Sequence, residues 1–213
     1  MNSEPVRIRP YQPDDLDDLY RVCLQTADNG RDATSLFRDP KLPGHVYAGP
    51  YAIFEPSLAF VAEDAAGLGG YVVAALDSQA FEQRLERDWW PALRAAYPEP
   101  SPGQAENLPV PERHAIGNIH HPRGTADELA RRFPSHLHIN LVPRLQGHGT
   151  GRRLIGTVIS HLRDQGSAGL HLLVGRRNQR AAGFYRHVGF TELPDGRPHI
   201  FVMNLAGHAD LPD

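Results

Sequence analysis

The chain has 213 residues, 40% of them hydrophobic, and a formal net charge of -3. That length and balance exclude a disordered chain, leave enough apolar side chain for a sizeable core, and exclude a global pull toward nucleic acid, so that any anion site must be local. The single cysteine, Cys23, excludes an internal disulfide framework and makes a reducing cytoplasm the expected compartment, and no apolar run has the length of a signal peptide or transmembrane helix.

Residues 6–9 alternate apolar and charged, as a half-buried strand does. Pro13, Asp14 and Asp15 open a helix: proline suits the first turn and the acids suit the positive end of the dipole. Leu16, Leu19, Tyr20, Cys23 and Leu24 recur at helical spacing, and Asp28-Asn29-Gly30 stops the run. Residues 28–56 are rich in Gly, Pro and Asp, anchored by Phe37, Tyr47, Tyr51 and Phe54; one or two short helices are expected in an irregular segment. Strands over 59–63 and 70–76 form a hairpin around Ala65-Ala66-Gly67. A helix over 79–97 carries Trp89 and Trp90 and is broken or kinked at Pro91. Residues 97–123 are Pro-rich and aperiodic and read as a long loop, followed by a short helix over 126–133. The remainder is more regular: a strand over 136–142, a helix over 151–165, a strand over 169–174, a helix over 178–187 capped by Asn178, and a strand over 199–205. This alternation predicts an α/β sheet of mixed direction, one domain over 1–213 with a helix and loop insertion at about 77–134.

The stretch from His138 to Gly151 carries the chemistry. A strand runs into Gly147, Gly149 and Gly151, and the turn opens a helix. Glycines let backbone approach a ligand, and the first amides of a helix are unpaired and point outward, so such a turn suits a phosphate or pyrophosphate. It is not a P-loop, which needs Lys and then Ser or Thr where Arg152 and Arg153 stand, nor a dinucleotide fingerprint, which needs a glycine at Arg152. A second segment, from Asn178 through Ala181, Phe184 and Tyr185 to Gly189 and Phe190, follows the next strand.

Together the two segments resemble the signatures of GNAT acetyltransferases: Arg144-x-x-Gly147-x-Gly149 is similar to that family's pyrophosphate loop, and 178–190 to its N-x-x-A-x-x-F-Y-x-x-x-G-F segment. The resemblance implies a GNAT fold: a mixed, mostly antiparallel central sheet, helices on both faces, and a splay between strands four and five that receives acetyl-CoA. It implies that the backbone of Leu141 and Val142 pairs with the pantetheine arm. Arg144, Leu145, Gln146, Gly147, His148, Gly149, Thr150 and Gly151 wrap the pyrophosphate, and Arg152 meets a coenzyme phosphate. Asn178 and Ala182 line the path to the thiol, Tyr185 protonates the departing coenzyme A thiolate, and the Val142 N–H stabilises the oxyanion. The implied activity is N-acetylation of a primary amine on a small molecule or a protein lysine, with neither nucleic acid nor membrane as partner.

Most of the chain, including 59–64, Gly69-Gly70-Tyr71, Trp89-Trp90-Pro91 and Phe133-Pro134-Ser135, also resembles the acetyltransferase-like C-terminal domain of O-GlcNAc hydrolases. Sugar hydrolysis is not expected, because the chain carries no glycosidase segment. The matching animal domain has degraded cofactor motifs, which keeps open a module that binds acetyl-CoA without turnover; here the loop is intact. The near absence of lysine, with Lys41 alone, fits a GC-rich bacterial genome. The family's frequent strand-four glutamate is missing. His138, and His136 beside it, alternate with core residues and could face the cleft, His138 being the candidate base; Asp28, Asp32, Glu63 and Asp77 are the acidic alternatives, and Asp28, Asp32 and Asp77 are also candidate acceptor ligands. His114, His120 and His121 match no metal-ligand spacing, so no metal is expected. Oligomeric state stays open, a homodimer included.

Overall fold

The computed structural model describes residues 5–194 and 198–207; the ends of the 1–213 span and residues 195–197 lie outside the described residues. Alternating segments become the strands β1 (Arg7–Pro10), β2 (Ala59–Asp64), β3 (Gly67–Ala75), β4 (Ser135–Leu141), β5 (Gly169–Val174), β6 (Thr191–Glu192) and β7 (His199–Asn204), in the order β1-β2-β3-β4-β5-β7-β6. The pairings are antiparallel except that of β4 with β5, which is parallel and holds only at Ser135↔Leu170 and His136↔His171. Beyond those pairs each strand stays with its own antiparallel neighbour: β3 follows β4 as far as Gly70↔Leu141, and β7 follows β5 as far as Val174↔His199. The sheet therefore forks, leaving the C-terminal halves of β4 and β5 facing each other without a shared ladder.

Helices cover both faces. A 3-10 turn at Pro13–Asp15 leads into α1 (Leu16–Leu24), whose buried face is Leu19, Tyr20, Val22, Cys23 and Leu24. The Asp15 carboxylate accepts from the Gln12 N–H and binds Arg9 in two hydrogen bonds, which fixes the entry of the chain. Helices α2 (Leu42–Tyr47) and α3 (Gly49–Phe54) lie close against α1; a Cβ at Gly44 or Gly49 would run into the Tyr20 ring or hydroxyl. On the opposite face lies α9 (Thr150–Asp164), which buries Leu154, Ile155, Val158, Ile159 and Leu162 against β2, β3 and β4. Each such side chain contributes roughly 1.5–3 kcal/mol relative to exposure. After β5, α10 (Gln179–His187) closes the second side of the fork.

Five helices separate β3 from β4: α4 (Ser78–Asp88), α5 (Trp90–Ala96), α6 (Pro102–Glu106), α7 (Val110–His120) and α8 (Asp127–Arg132). The break between α4 and α5 falls beside Pro91, as the sequence suggests. The expectation of a loop over 97–123 is corrected, because α6 and α7 lie there. A capping box from Ser101 to Gln104 starts α6. In α7 the buried face of Ala115, Ile116 and Ile119 is interleaved with Arg113, His114, Gly117 and Asn118, which blurs its periodicity. Its buried Glu112 accepts from Arg38 at 2.7 Å, and the helix packs on α2 and α5. The two-residue strand β6 also escapes a periodicity reading. Among the described residues no helix is long and apolar enough to cross a membrane.

Candidate active site

The fork opens into a cleft of about 950 Å³, walled by the C-terminal halves of β4 and β5, the start of α9, α10, the end of α1 and the start of α7. Strand pairing determines what β4 offers it. The Val142 N–H donates to the Gly69 carbonyl at 2.9 Å, so Val142 and every second residue before it point their backbone groups at β3. The alternate residues, Ile139 and Leu141, point theirs into the fork. This corrects one expectation: the Val142 N–H is already spent on β3, and the strand amides presented to the cleft are those of Ile139 and Leu141. The Leu141 carbonyl accepts from the Gln146 side chain.

The glycine turn follows. Gly147 (φ +83°) and Gly149 (φ +73°) have left-handed backbone, and no atom stands where a Cβ would project at either. Such a conformation costs an L-residue about 1–2 kcal/mol. The Leu145 and Gln146 amides close a 3-10 turn on Val142 and Pro143, and the first α9 amide with a partner behind it is that of Arg153, on the Gly149 carbonyl. The backbone donors left over among the described residues run from Gly147 to Gly151, a narrower set than the span from Leu145 expected from the sequence. Gln146, Gly147, Gly149, Gly151 and Arg152 line the cleft. His148 is exposed beside them, and Thr150 is buried beneath the turn. Arg144 and Leu145 are corrected: the Arg144 guanidinium turns back to Asp64 (3.1 Å) and the Gly67 carbonyl (2.9 Å), and the Leu145 side chain is core. Arg153 reaches away to the Val6 carbonyl. Arg152, Arg176, Arg177 and Arg180 put four cations around this end of the cleft in a chain of negative net charge. Donor amides and arginines together fit a diphosphate.

Helix α10 forms the other wall. The Asn178 side chain caps it, accepting from the Ala181 N–H at 3.0 Å, and lines the cleft. Ala182 faces the core, and its neighbour Ala181 takes the cleft position expected of it. Tyr185 is held by the rings of Phe184, Phe190 and Phe201. Burial raises its pKa, keeping the phenol protonated, and its hydroxyl makes no hydrogen bond among the described residues.

Across the cleft, His138 lies between Tyr51, whose oxygen is 3.1 Å from Nε2, and the Tyr47 ring. Burial alone depresses its pKa to about 4, so the ring is neutral at physiological pH. Asn140 donates to the Thr26 hydroxyl, and Asn118 to the Tyr47 hydroxyl. The carboxylates expected here are elsewhere. Asp28 pairs with Arg31, Asp32 accepts from Thr34 in an exposed turn, Asp77 caps α4 through the Ala80 N–H, and Glu63 pairs with Arg9. None of the four lines the cleft; Asn29, Phe37, Tyr47, Val110 and His114 do. Sequence reading missed Val110 and His114 because α7 was not expected. Cys23 also reaches the wall, with burial pushing its thiol up to about 12, so no thiolate is available at neutral pH. Among the described residues no group of three or more His, Cys, Asp or Glu is placed to hold a metal ion.

The acetyltransferase (GNAT) family model matches residues 114–190, from α7 to the end of the Asn178–Phe190 segment. The crystal structure of SsHAT is 35% identical, covers 95% of this chain and all of its own, and superposes with a TM-score of 0.85. The chain belongs to the GNAT acetyltransferases. Acetyl-CoA is thus its acetyl donor and the reaction class is acetyl transfer. The Protein O-GlcNAcase of Rattus norvegicus is 24% identical over 203 residues, 94% of this chain, and the chain spans only 22% of that relative's length. A GNAT family acetyltransferase from Brucella melitensis, crystallised with acetyl-CoA, shares the fold at 16% identity (98% of this chain, 92% of that one; TM-score 0.51).

Proposed function

We propose that the chain, acting as one acetyltransferase unit with a helical insertion over 77–134, moves the acetyl group directly from acetyl-CoA to a primary amine. The observation that carries this reading is the conjunction of a forked sheet with backbone amides from Gly147 to Gly151 that have no partner among the described residues, at the mouth of the fork. Those amides, with Arg152 and Arg180, hold the diphosphate. The Ile139 and Leu141 backbone pairs with the pantetheine arm. Bound there, the cofactor supplies a thioester-activated acetyl group.

The chain's residues then divide the proton work. The amine nitrogen bonds to the acetyl carbon as the C–S bond breaks; the nitrogen gives a proton to His138, and the Tyr185 phenol gives one to the departing sulfur. A backbone N–H on the forked edge of β4, Ile139 or Leu141, faces the developing oxyanion. The acceptor enters past Phe37, Tyr47, Val110 and His114. With no carboxylate among the described residues that line the cleft, the amine is bound uncharged, not as an ammonium on a carboxylate.

Calorimetry with acetyl-CoA and a thiol-release assay test the reading. The assay panel is spermidine, glucosamine, tyramine, an alanyl peptide with a free N-terminus and a lysine peptide. Binding with turnover of at least one amine is expected. Binding without turnover of any amine would refute direct transfer, and no binding would refute the cofactor site.

A further inference from the structure

Four polar side chains behind the cleft form a single chain of hydrogen bonds. The Ser78 hydroxyl stands 2.6 Å from the Pro134 carbonyl and 2.7 Å from His136 Nδ1. His136 Nε2 stands 2.8 Å from the Tyr51 hydroxyl, which is in turn 3.1 Å from His138 Nε2. The proton positions follow from one end, because a carbonyl only accepts. Ser78 donates to Pro134, so its oxygen must accept from His136, which puts the His136 proton on Nδ1. His136 Nε2 then accepts from Tyr51. The Tyr51 proton is thereby spent, and its oxygen accepts from His138, which puts the His138 proton on Nε2.

One atom is left over. Nδ1 of His138 makes no hydrogen bond among the described residues, and it is not among the buried polar atoms that lack a partner, so it reaches the open side where His138 walls the cleft. We propose that Ser78, His136 and Tyr51 are positioning residues that lock His138 as its Nε2–H tautomer, so that Nδ1 is the proton acceptor for the attacking amine; this rests on the acetyl-transfer reading above.

A histidine held only for packing would have both nitrogens satisfied by protein, or one hydrogen bond of no particular direction. Here the direction is imposed over four side chains, and the ring nitrogen left without a hydrogen bond among the described residues is the one facing the cleft. The anchoring groups sit on well-fixed backbone: the Ser78 N–H also donates to Pro134 at 2.8 Å, and Tyr51 is stacked on Phe81 at 4.5 Å between ring centroids. When Nδ1 takes the proton, the Nε2–H remains on Tyr51, and the positive ring faces a phenol oxygen whose own proton is directed at His136. The proton leaves to solvent after product release, so the step consumes nothing else. The depressed pKa keeps the ring neutral and makes it a weak base. It therefore takes the proton from a nitrogen already acidified by its bond to the acetyl carbon.

Long-range 15N–1H correlation spectra of the coenzyme A complex at pH 7 test the relay without an acceptor. We expect His138 protonated on Nε2 and His136 on Nδ1, and Tyr51→Phe to convert His138 to a tautomer mixture while the protein stays folded. His138 protonated on Nδ1, or unchanged spectra in Tyr51→Phe, overturns the relay. With the amine panel, His138→Gln should lower kcat at least about 100-fold at unchanged KM for acetyl-CoA. Retained kcat in that variant overturns the base assignment even if the tautomers are as expected. Inactivity of the wild type toward every amine sinks the transfer reading, and the spectra then still decide the tautomers on their own.

Discussion

Acid should unfold this protein partly through His138, and the amount follows from its surroundings. In the fold its pKa is about 4, depressed by burial from an ordinary 6.5. At pH 4.5 the unfolded chain carries that ring almost fully protonated while the folded chain keeps it mostly neutral. The ratio of the two proton-binding terms is worth about 2.5 kcal/mol. The sign is that of a group whose folded value is lowered: above pH 6.5 both states are neutral and nothing is lost, and stability drains as pH falls from 6.5 toward 4. His136, lowered by burial and then by its neighbours His138 and His171, pulls the same way, as does His171, lowered by burial. Against a typical domain stability of about 5–15 kcal/mol this is a large share. The assay is urea unfolding at pH 7.0 and 4.5 for wild type and His138→Gln. Carboxylates held low by arginines, such as Asp15 by Arg9 and Glu86 by Arg94, also lose stability with acid, but they do so in both proteins and cancel in the difference. Wild type should lose about 2 kcal/mol more than the variant over that interval. Equal losses would refute the claim that the neutral ring is forced by burial.

Tyr185→Phe keeps the stack on Phe184, Phe190 and Phe201 and removes only the acid; kcat should fall about 100-fold or more, with coenzyme A affinity by calorimetry unchanged. Gly149→Ala meets no neighbour but forces a left-handed alanine, so about 1–2 kcal/mol of stability should be lost, and coenzyme A binding should weaken about tenfold as the turn relaxes. Asp77→Ala removes a helix cap, costing about 1 kcal/mol by thermal melting, and leaves kcat/KM for the amine unaltered, which separates a cap from an acceptor ligand.

The elements that the sequence announced are those whose apolar face is uninterrupted. In α9, Leu154, Ile155, Val158, Ile159 and Leu162 form an unbroken stripe between a glycine start and Gly166; β4 alternates polar and apolar residues, and β5 is a short, almost fully buried apolar run. Helix α7 was illegible because its few core positions are separated by Arg113, His114, Gly117 and Asn118, and because its buried Glu112 reads as surface until Arg38, 74 residues away in the chain, is seen to pair with it. The same cause misdirected the acceptor side: Asp28, Asp32 and Asp77 are near the right loops in sequence, but each carboxylate is engaged by a short-range partner, Arg31, Thr34 or the Ala80 N–H, and none lines the cleft.

The glycine turn and the catalytic wall differ in kind, and that difference decides what a sequence can say about each. A phosphate grip is made of backbone, so it needs only the residues that permit the backbone path, and these stand together within 147–151. The relay is made of side chains from α3, the start of α4 and β4, separated by as many as 87 residues. Its logic lies in the order of donors and acceptors, which no local pattern encodes. Strand β4 joins the two: because its ladder with β3 alternates, one set of residues gives Ile139 and Leu141 amides to the forked edge, and the intervening set turns His136, His138 and Asn140 toward α1 and α3. A one-residue slip of that register would exchange the sets and lose both the edge amides and the imidazole together.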